Sequence, residues 1–280
     1  MYKRSESHFQ GTHKKPLFYQ SWDHDQPLGT LVLVHGFAEH SDCYNRFATG
    51  IQDLGVSIHA LDLQGHGRSP GQRGFIPDFS HYIRDLRLFL EHLDSIKLLQ
   101  GPVFLLGHSM GGLISLRYLI DEKDSPIDSL LLSSPLLGIS VEVPKIKDIA
   151  SKILGKFAPK VTLHNEIDTD NLSRDPEVRA EYGKDILRHE KISAPIYLGM
   201  IENFDYVFSN IQKVNRPAFF QIAGEDMIVS RPETERFFNK LQSDEKKLII
   251  YKDSYHEIFN DLDRLQVYKD FKEFLIPRLK

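Results

Sequence analysis

Residues 107–112 read Gly-His-Ser-Met-Gly-Gly, a G-x-S-x-G pattern set between an apolar run, Pro102–Leu106, and a helix-like stretch that begins at Met110. A tight strand-turn-helix holds its central residue in a strained backbone conformation, and glycines on either side remove the clashes. The Ser109 hydroxyl would then project at a helix N-terminus. A serine hydroxyl is a weak nucleophile at neutral pH, so it needs a base, and the base needs an orienting acid. Where such a turn hosts catalysis, the chain order is Ser, then acid, then His. Asp226 lies just past the apolar run Ala218–Ala223, and His256 just past Lys247–Tyr251, in that order after Ser109. Glu225 and Asp253 stand close by and leave the identity of the acid open. His108, adjacent to the serine, would point elsewhere. The oxyanion of a tetrahedral intermediate needs fixed donors, and losing one costs about 2.7–4 kcal/mol. The N–H of Met110 is one candidate. The loop after Thr30–Val34 should supply the other, with the Phe37 N–H the natural choice and Gly36 permitting the turn.

These residues need elements that bring them to one place. Short apolar runs at Thr30–Val34, Val56–Leu61, Pro102–Leu106, Asp128–Leu132, Ala218–Ala223 and Lys247–Tyr251 predict strands. Helical patterns at Phe79–Leu99, Met110–Ile120, Arg231–Leu241 and Asp261–Leu275 fall between or after them. The alternation predicts an α/β fold, a mostly parallel sheet with helices on both faces. Sites in such sheets sit at the C-terminal edge of the strands, where the candidate residues fall. From about residue 136 to 205 the rhythm fails, prolines recur and charges are dense. That stretch is too long for a bare loop and predicts a helical cap insertion over the strand ends. The expected division is a core of 1–135 and 206–280 with a cap of 136–205.

The chain has 280 residues, 35 basic and 39 acidic side chains, and a net charge of −4. That balance gives no electrostatic reason to bind nucleic acid. Hydrophobic residues at 41% exclude disorder of the whole chain. Cys43 is the only cysteine, so no disulfide forms within the chain, which fits a reducing compartment and a cytoplasmic location. The first twenty residues lack the apolar stretch of a secretory signal, and no segment reaches the roughly 18 apolar residues of a membrane span. The expectation is a soluble protein, at most peripheral to a membrane. Asp62–Ser69 is glycine-rich but lacks the Gly-Lys-Ser/Thr ending of a phosphate-binding loop, so it reads as a shaped turn.

The segments HGFAEHSDCY, LDLQGHGRSPGQRG, GHSMGG, AGEDMIVS and YHEIFND, in this order from about residue 30 to 260, resemble the motifs of the monoacylglycerol lipase and lysophospholipase group of α/β-hydrolases. The resemblance implies the α/β-hydrolase fold, a mobile cap, and a serine esterase that acts on single-acyl-chain lipids. It maps the nucleophile, acid and base onto Ser109, Asp226 and His256. It assigns the oxyanion N–H groups to Phe37 and Met110. Glu39 and His40 match the pattern and would either organise the oxyanion loop from behind or serve the structure alone. The pattern is broken at Ala38, where the group often has a second glycine, and at Cys43, where it frequently has an arginine. No metal and no organic cofactor is implied.

Within the insertion, Ile146, Ile149, Ala150, Ile153, Leu154 and Phe157 share one helical face, and Lys145, Lys147, Lys152, Lys156 and Lys160 surround it. Such a helix either covers the protein's own acyl pocket or lies in an anionic membrane interface. A second apolar cluster, Tyr197 to Phe208, is expected to pack the core and in part to line a greasy tunnel. Two rival functions remain: a short-chain esterase or peptidase using the same three residues, and a catalytically silent binding protein. The silent reading is disfavoured because no member of the triad is missing, and an Asp-nucleophile hydrolase is disfavoured by Ser109.

Overall fold

The computed structural model describes residues 2–140 and 145–279, without the side chains of 145–148. Eight strands form one sheet: β1 (Lys3–Gln10), β2 (Pro16–Asp23), β3 (Gly29–Val34), β4 (Val56–Leu61), β5 (Val103–His108), β6 (Ser129–Ser133), β9 (Ala218–Ala223) and β10 (Lys246–Tyr251). Their spatial order is β1-β2-β4-β3-β5-β6-β9-β10. The six strands expected from the sequence are the parallel part, each within two residues of its predicted bounds. Their apolar runs are continuous because both faces of a parallel sheet are covered.

Alternate side chains serve two separate cores. Val32, Val34, Val103 and Leu105 pack on one face with Leu86 and Phe89 of α2 (Ser80–Ser95), Leu113 and Leu116 of α3 (Met110–Asp121), and Phe237 of α7 (Arg231–Lys240). Leu31, Leu33, Phe104 and Leu106 pack on the other with Phe47 of α1 (Asn45–Gly50) and Tyr268 and Phe271 of α8 (Arg264–Leu275). The period of two along each strand thus fixes both helix layers at once.

β1 and β2 extend the sheet as an antiparallel hairpin that the sequence did not announce. β1 exposes all but Phe9, so its polar residues carry no strand-like alternation. β2 pairs with β4 and is buried over Leu17–Trp22.

Between β6 and β9 lie α4 (Lys145–Phe157), α5 (Pro176–Tyr182), α6 (Ala194–Ser209) and a small antiparallel pair, β7 (Thr162–His164) with β8 (Lys191–Ser193). The predicted insertion is therefore helical but also holds a short sheet. α4 packs against α6, with Gly155 close to Leu198 and Ala194. Its apolar stripe does not cover a core: Ile149, Ile153 and Phe157 are 57%, 55% and 75% exposed, and Leu154 is half-buried. The side chains of Lys145, Ile146 and Lys147 lie outside the described residues. Among the described residues no helix is long and apolar enough to cross a membrane.

Candidate active site

Ser109 follows β5 directly and sits at φ 51°, ψ −119°, a left-handed conformation that L-residues adopt only when the surroundings impose it. Here they do. Its N–H donates to Ser133 O at 3.0 Å, and its carbonyl accepts from Gly112 and Leu136 N–H at 2.9 Å. The turn closes only because Gly111 has no side chain: a Cβ there would lie 2.1 Å from the Val34 carbonyl oxygen. The helix that follows, α3, starts at Met110, so its first N–H groups have no intrahelical acceptor.

The loop after β3 approaches the serine from the neighbouring strand. A Cβ on Gly36 would come within 3.1 Å of Ser109 Cβ. Among the described residues, the N–H groups of Phe37 and Met110 have no hydrogen-bond acceptor, as oxyanion donors require. Ala38 stands at φ 66°, the conformation a glycine would adopt freely, so the substitution changes strain and not the path of the chain. Glu39 accepts hydrogen bonds from Gly36 N–H and, at 2.7 Å, from Tyr44 Oη. Behind the loop, His35 Nε2 accepts the Leu63 N–H at 3.0 Å while Nδ1 lies 2.7 Å from Gly36 O. Burial pushes the His35 imidazole down to about 4, against the raising effect of Asp62, so the ring is neutral and its two bonds fix the tautomer. Asp62 holds the next loop by accepting Ser41 N–H at 2.8 Å and Arg68 N–H at 2.7 Å, consistent with a shaped turn.

His256 and Asp226 stand beyond β10 and β9. His256 Nδ1 lies 2.8 Å from Asp226 Oδ2, and Asp226 Oδ1 accepts the N–H groups of Ile228 and Val229, each at 2.9 Å. Glu225 and Asp253 are exposed and neither bonds the imidazole, so among the three only Asp226 contacts His256. Burial disfavours charge on His256, but the adjoining Asp226 carboxylate and its hydrogen bond outweigh it and raise the imidazole above its ordinary value. Burial likewise opposes ionisation of Asp226, and His256 and the two N–H donors overcome it, holding the carboxyl below the usual range. His108 does not point away from the site: it lines the same cavity, its ring 4.8 Å from that of His256, with Nδ1 3.1 Å from Ser133 O and Oγ, and burial beside His256 lowers it to about 3.

Ser109, His256, Phe37 and Glu39 line one cavity of ≈ 340 Å³. The insertion closes its other side with Ile167, Leu172, Tyr182, Asp185, Arg188 and His189. His40 does not face this cavity; its Nε2 meets Asp185 at 2.7 Å. The apolar cluster of α6 does not line the cavity either. Met200 and Val207 are buried in the core, and Phe204, Tyr206 and Phe208 pack against that core. Sequence reasoning missed Arg188, Tyr182 and Glu257. The guanidinium of Arg188 lies 3.3 Å from the sulfur of Cys43, the position where the resembled motif often carries its own arginine. That missing arginine was the one sequence signal pointing to a cation from elsewhere.

The sequence matches the family described as serine aminopeptidase, S33, over residues 25–263. It is 31% identical over 280 residues to a monoacylglycerol lipase of Mycolicibacterium smegmatis, covering 99% of this chain and 98% of the relative. It is 29% identical to phospholipase YtpA of Bacillus subtilis, covering 91% and 97%. By contrast, the chain spans only 28% of a longer abhydrolase domain-containing protein of Dictyostelium discoideum. Among solved structures, the monoacylglycerol lipase of Paleococcus ferrophilus superposes with a TM-score of 0.83 at 28% identity, covering 99% of both chains.

Proposed function

The chain belongs to the serine aminopeptidase, S33 family and has the α/β-hydrolase fold, and from that premise we propose that it is a serine carboxylic-ester hydrolase that releases a fatty acid from monoacyl lipids. Relatives named for monoacylglycerol and phospholipid hydrolysis support the substrate class. The observation that carries the mechanism is the Asp226–His256 contact at the wall of the cavity that Ser109 enters. With Nδ1–H held by Asp226, Nε2 is the nitrogen left to accept a proton.

Ser109 Oγ attacks the ester carbonyl carbon and its proton passes to His256 Nε2. Charge develops on the carbonyl oxygen and is met by the N–H groups of Phe37 and Met110. Asp226 stabilises the imidazolium while it exists. The tetrahedral intermediate collapses, the alcohol leaves with the proton from His256, and an acyl-Ser109 ester remains. Water, deprotonated by the same imidazole, attacks that ester, and the fatty acid departs with Ser109 restored. Glu39 fixes the oxyanion loop from behind, and His40 ties it to the insertion.

Residues 136–205 act as a cap over this site in the proposed division, with 1–135 and 206–280 as the core. The protein works in the cytoplasm and touches membrane surfaces through the exposed row Ile149, Ile153 and Phe157, next to exposed Lys156 and Lys160. Ser109→Ala should abolish p-nitrophenyl ester turnover with the circular dichroism unchanged; wild-type turnover would remove Ser109 from the mechanism. A panel of monoacylglycerols and lysophospholipids of varied acyl length then identifies the substrate. Peak activity on very short chains, with no gain on micelles, would support a short-chain esterase instead.

A further inference from the structure

Two carboxylates are buried beside the site. Glu39 belongs to the loop that carries Gly36 and Phe37, and Glu257 directly follows His256. Their side chains are 4% and 5% exposed. Two like charges so placed repel each other and pay desolvation, and a cation between them offsets both. Arg188 is that cation. Its Nη2 lies 3.8 Å from Glu39 Oε2, and both Nη1 and Nη2 donate to Glu257 Oε1 at 3.2 Å. The guanidinium lies over the Tyr182 ring, 3.9 Å from its centroid, and the Tyr182 hydroxyl donates to Glu257 Oε2. Among the described residues no other Lys or Arg pairs with either carboxylate.

Both carboxylates lead to catalytic groups. Glu39 accepts the Gly36 N–H and so orients the peptide next to the Phe37 N–H. Glu257 is held by Asn260 Nδ2 at 2.9 Å and by its own N–H, which donates to Leu172 O at 2.8 Å, so the main chain next to His256 is pinned. Arg188, Tyr182 and Leu172 all come from the insertion and not from the sheet. On the oxyanion side the insertion adds a backbone bond, His189 N–H to Ala38 O at 3.3 Å.

We propose that Arg188 is a positioning residue: from the insertion it supplies the cation that bridges Glu39 and Glu257 and offsets their repulsion, and through them it sets the Gly36–Phe37 peptide and His256. The inference rests on Ser109 and His256 being nucleophile and base. It makes seating of the insertion and completion of the site one event. Glu39 is the sensitive member. Around it stand Tyr44 and Cys43 of its own loop, Arg188 of the insertion, and His256 and Glu257 beyond β10, with Tyr182 and Asp185 lining the same cavity. Burial and Glu257 hold Glu39 at about 7 even against the lowering pull of Arg188. Without Arg188 the carboxylate takes up a proton at higher pH and weakens its hold on the Gly36 N–H.

The test compares Arg188→Met, Arg188→Lys and the double variant Arg188→Met/Glu257→Gln with the wild type on p-nitrophenyl butyrate across pH. Arg188→Met should lower kcat about 100-fold, the cost of misplacing an oxyanion donor or base by a fraction of its contact distance, with KM changed less than about 3-fold. Its acid limb should move to higher pH. Removing the second carboxylate in the double variant should restore at least about 10-fold of kcat and return the limb, because the repulsion is gone. Arg188→Lys, which keeps the charge without the fork, should retain the wild-type limb and lose less kcat than the Met variant. A residue that only seats the insertion would give a Met variant whose limb is unmoved and whose defect Glu257→Gln does not repair, and that result overturns the proposal. Should Arg188→Met not fold, a shifted acid limb in Arg188→Lys overturns it. Fluorophosphonate labelling of wild-type Ser109 runs in parallel: no labelling refutes the catalytic reading, whereas normal labelling with an unaffected Met variant refutes the role of Arg188 alone.

Discussion

The Asp226 carboxylate and the His256 imidazole meet at 2.8 Å with side chains only 2% and 4% exposed, and each shifts the other toward its charged form against its own burial. In the proposed mechanism the imidazole is the group that titrates. It must be neutral to take the proton of Ser109, so kcat/KM rises as pH climbs through its raised pKa.

A pH–rate profile on a p-nitrophenyl ester should therefore show an acid limb with a midpoint above 6.5. Asp226→Asn removes the charge that is the largest raising influence on His256, and the correct tautomer with it. It should lower kcat by about 10⁴-fold and move the acid limb to lower pH, with the fold unchanged. An Asn variant of near-normal kcat would mean another residue orients the ring.

Ala38 carries left-handed strain at φ 66°. The strain costs about 1–2 kcal/mol in an L-residue, and glycine returns about 0.4–1 kcal/mol of that through the added freedom of the unfolded chain. Ala38→Gly should thus stabilise the protein by up to about 1.5 kcal/mol, the difference of the two. Urea unfolding checks this. A clear loss of stability would show that the Ala38 methyl makes contacts worth more than the strain.

The neutral histidines behind the oxyanion loop predict acid sensitivity. Burial lowers His35 and His189 to about 4 and His66 well below its ordinary value, and the ring of His66 sits between the other two. A histidine whose folded pKa is lowered binds its proton more readily when unfolded. Its contribution is complete above the unfolded pKa of about 6.5 and is lost as pH falls toward the folded value. Tm should be flat above pH 7 and fall between 6.5 and 4. His35→Asn, which cannot take up the proton, should give a shallower fall in the same scan; an equally steep one would place the proton uptake elsewhere.

Much of this was readable from the chain because an α/β sheet converts sequence order into position. Ser109, Asp226 and His256 each follow an apolar run, and the C-terminal edge of parallel strands gathers whatever follows them. The hairpin of β1 and β2 escaped notice because an exposed edge strand such as Lys3–Gln10 needs no apolar alternation; the sheet to which it pairs supplies its stability. Arg188 escaped for a different reason. Its role depends on where an irregular insertion crosses the site, and local spacing in residues 183–190 encodes no such crossing. The exposed face of α4 shows the limit of periodicity, which identified an amphipathic helix but not which side meets the protein.

The most direct measurement is peptide mapping by mass spectrometry after brief exposure to a fluorophosphonate or a slow monoacyl ester. The covalent adduct should appear on Ser109 in the wild type, be absent from Ser109→Ala, and form far more slowly in His256→Ala. An adduct on any other residue, or labelling undiminished when Ser109 or His256 is removed, would contradict the mechanism.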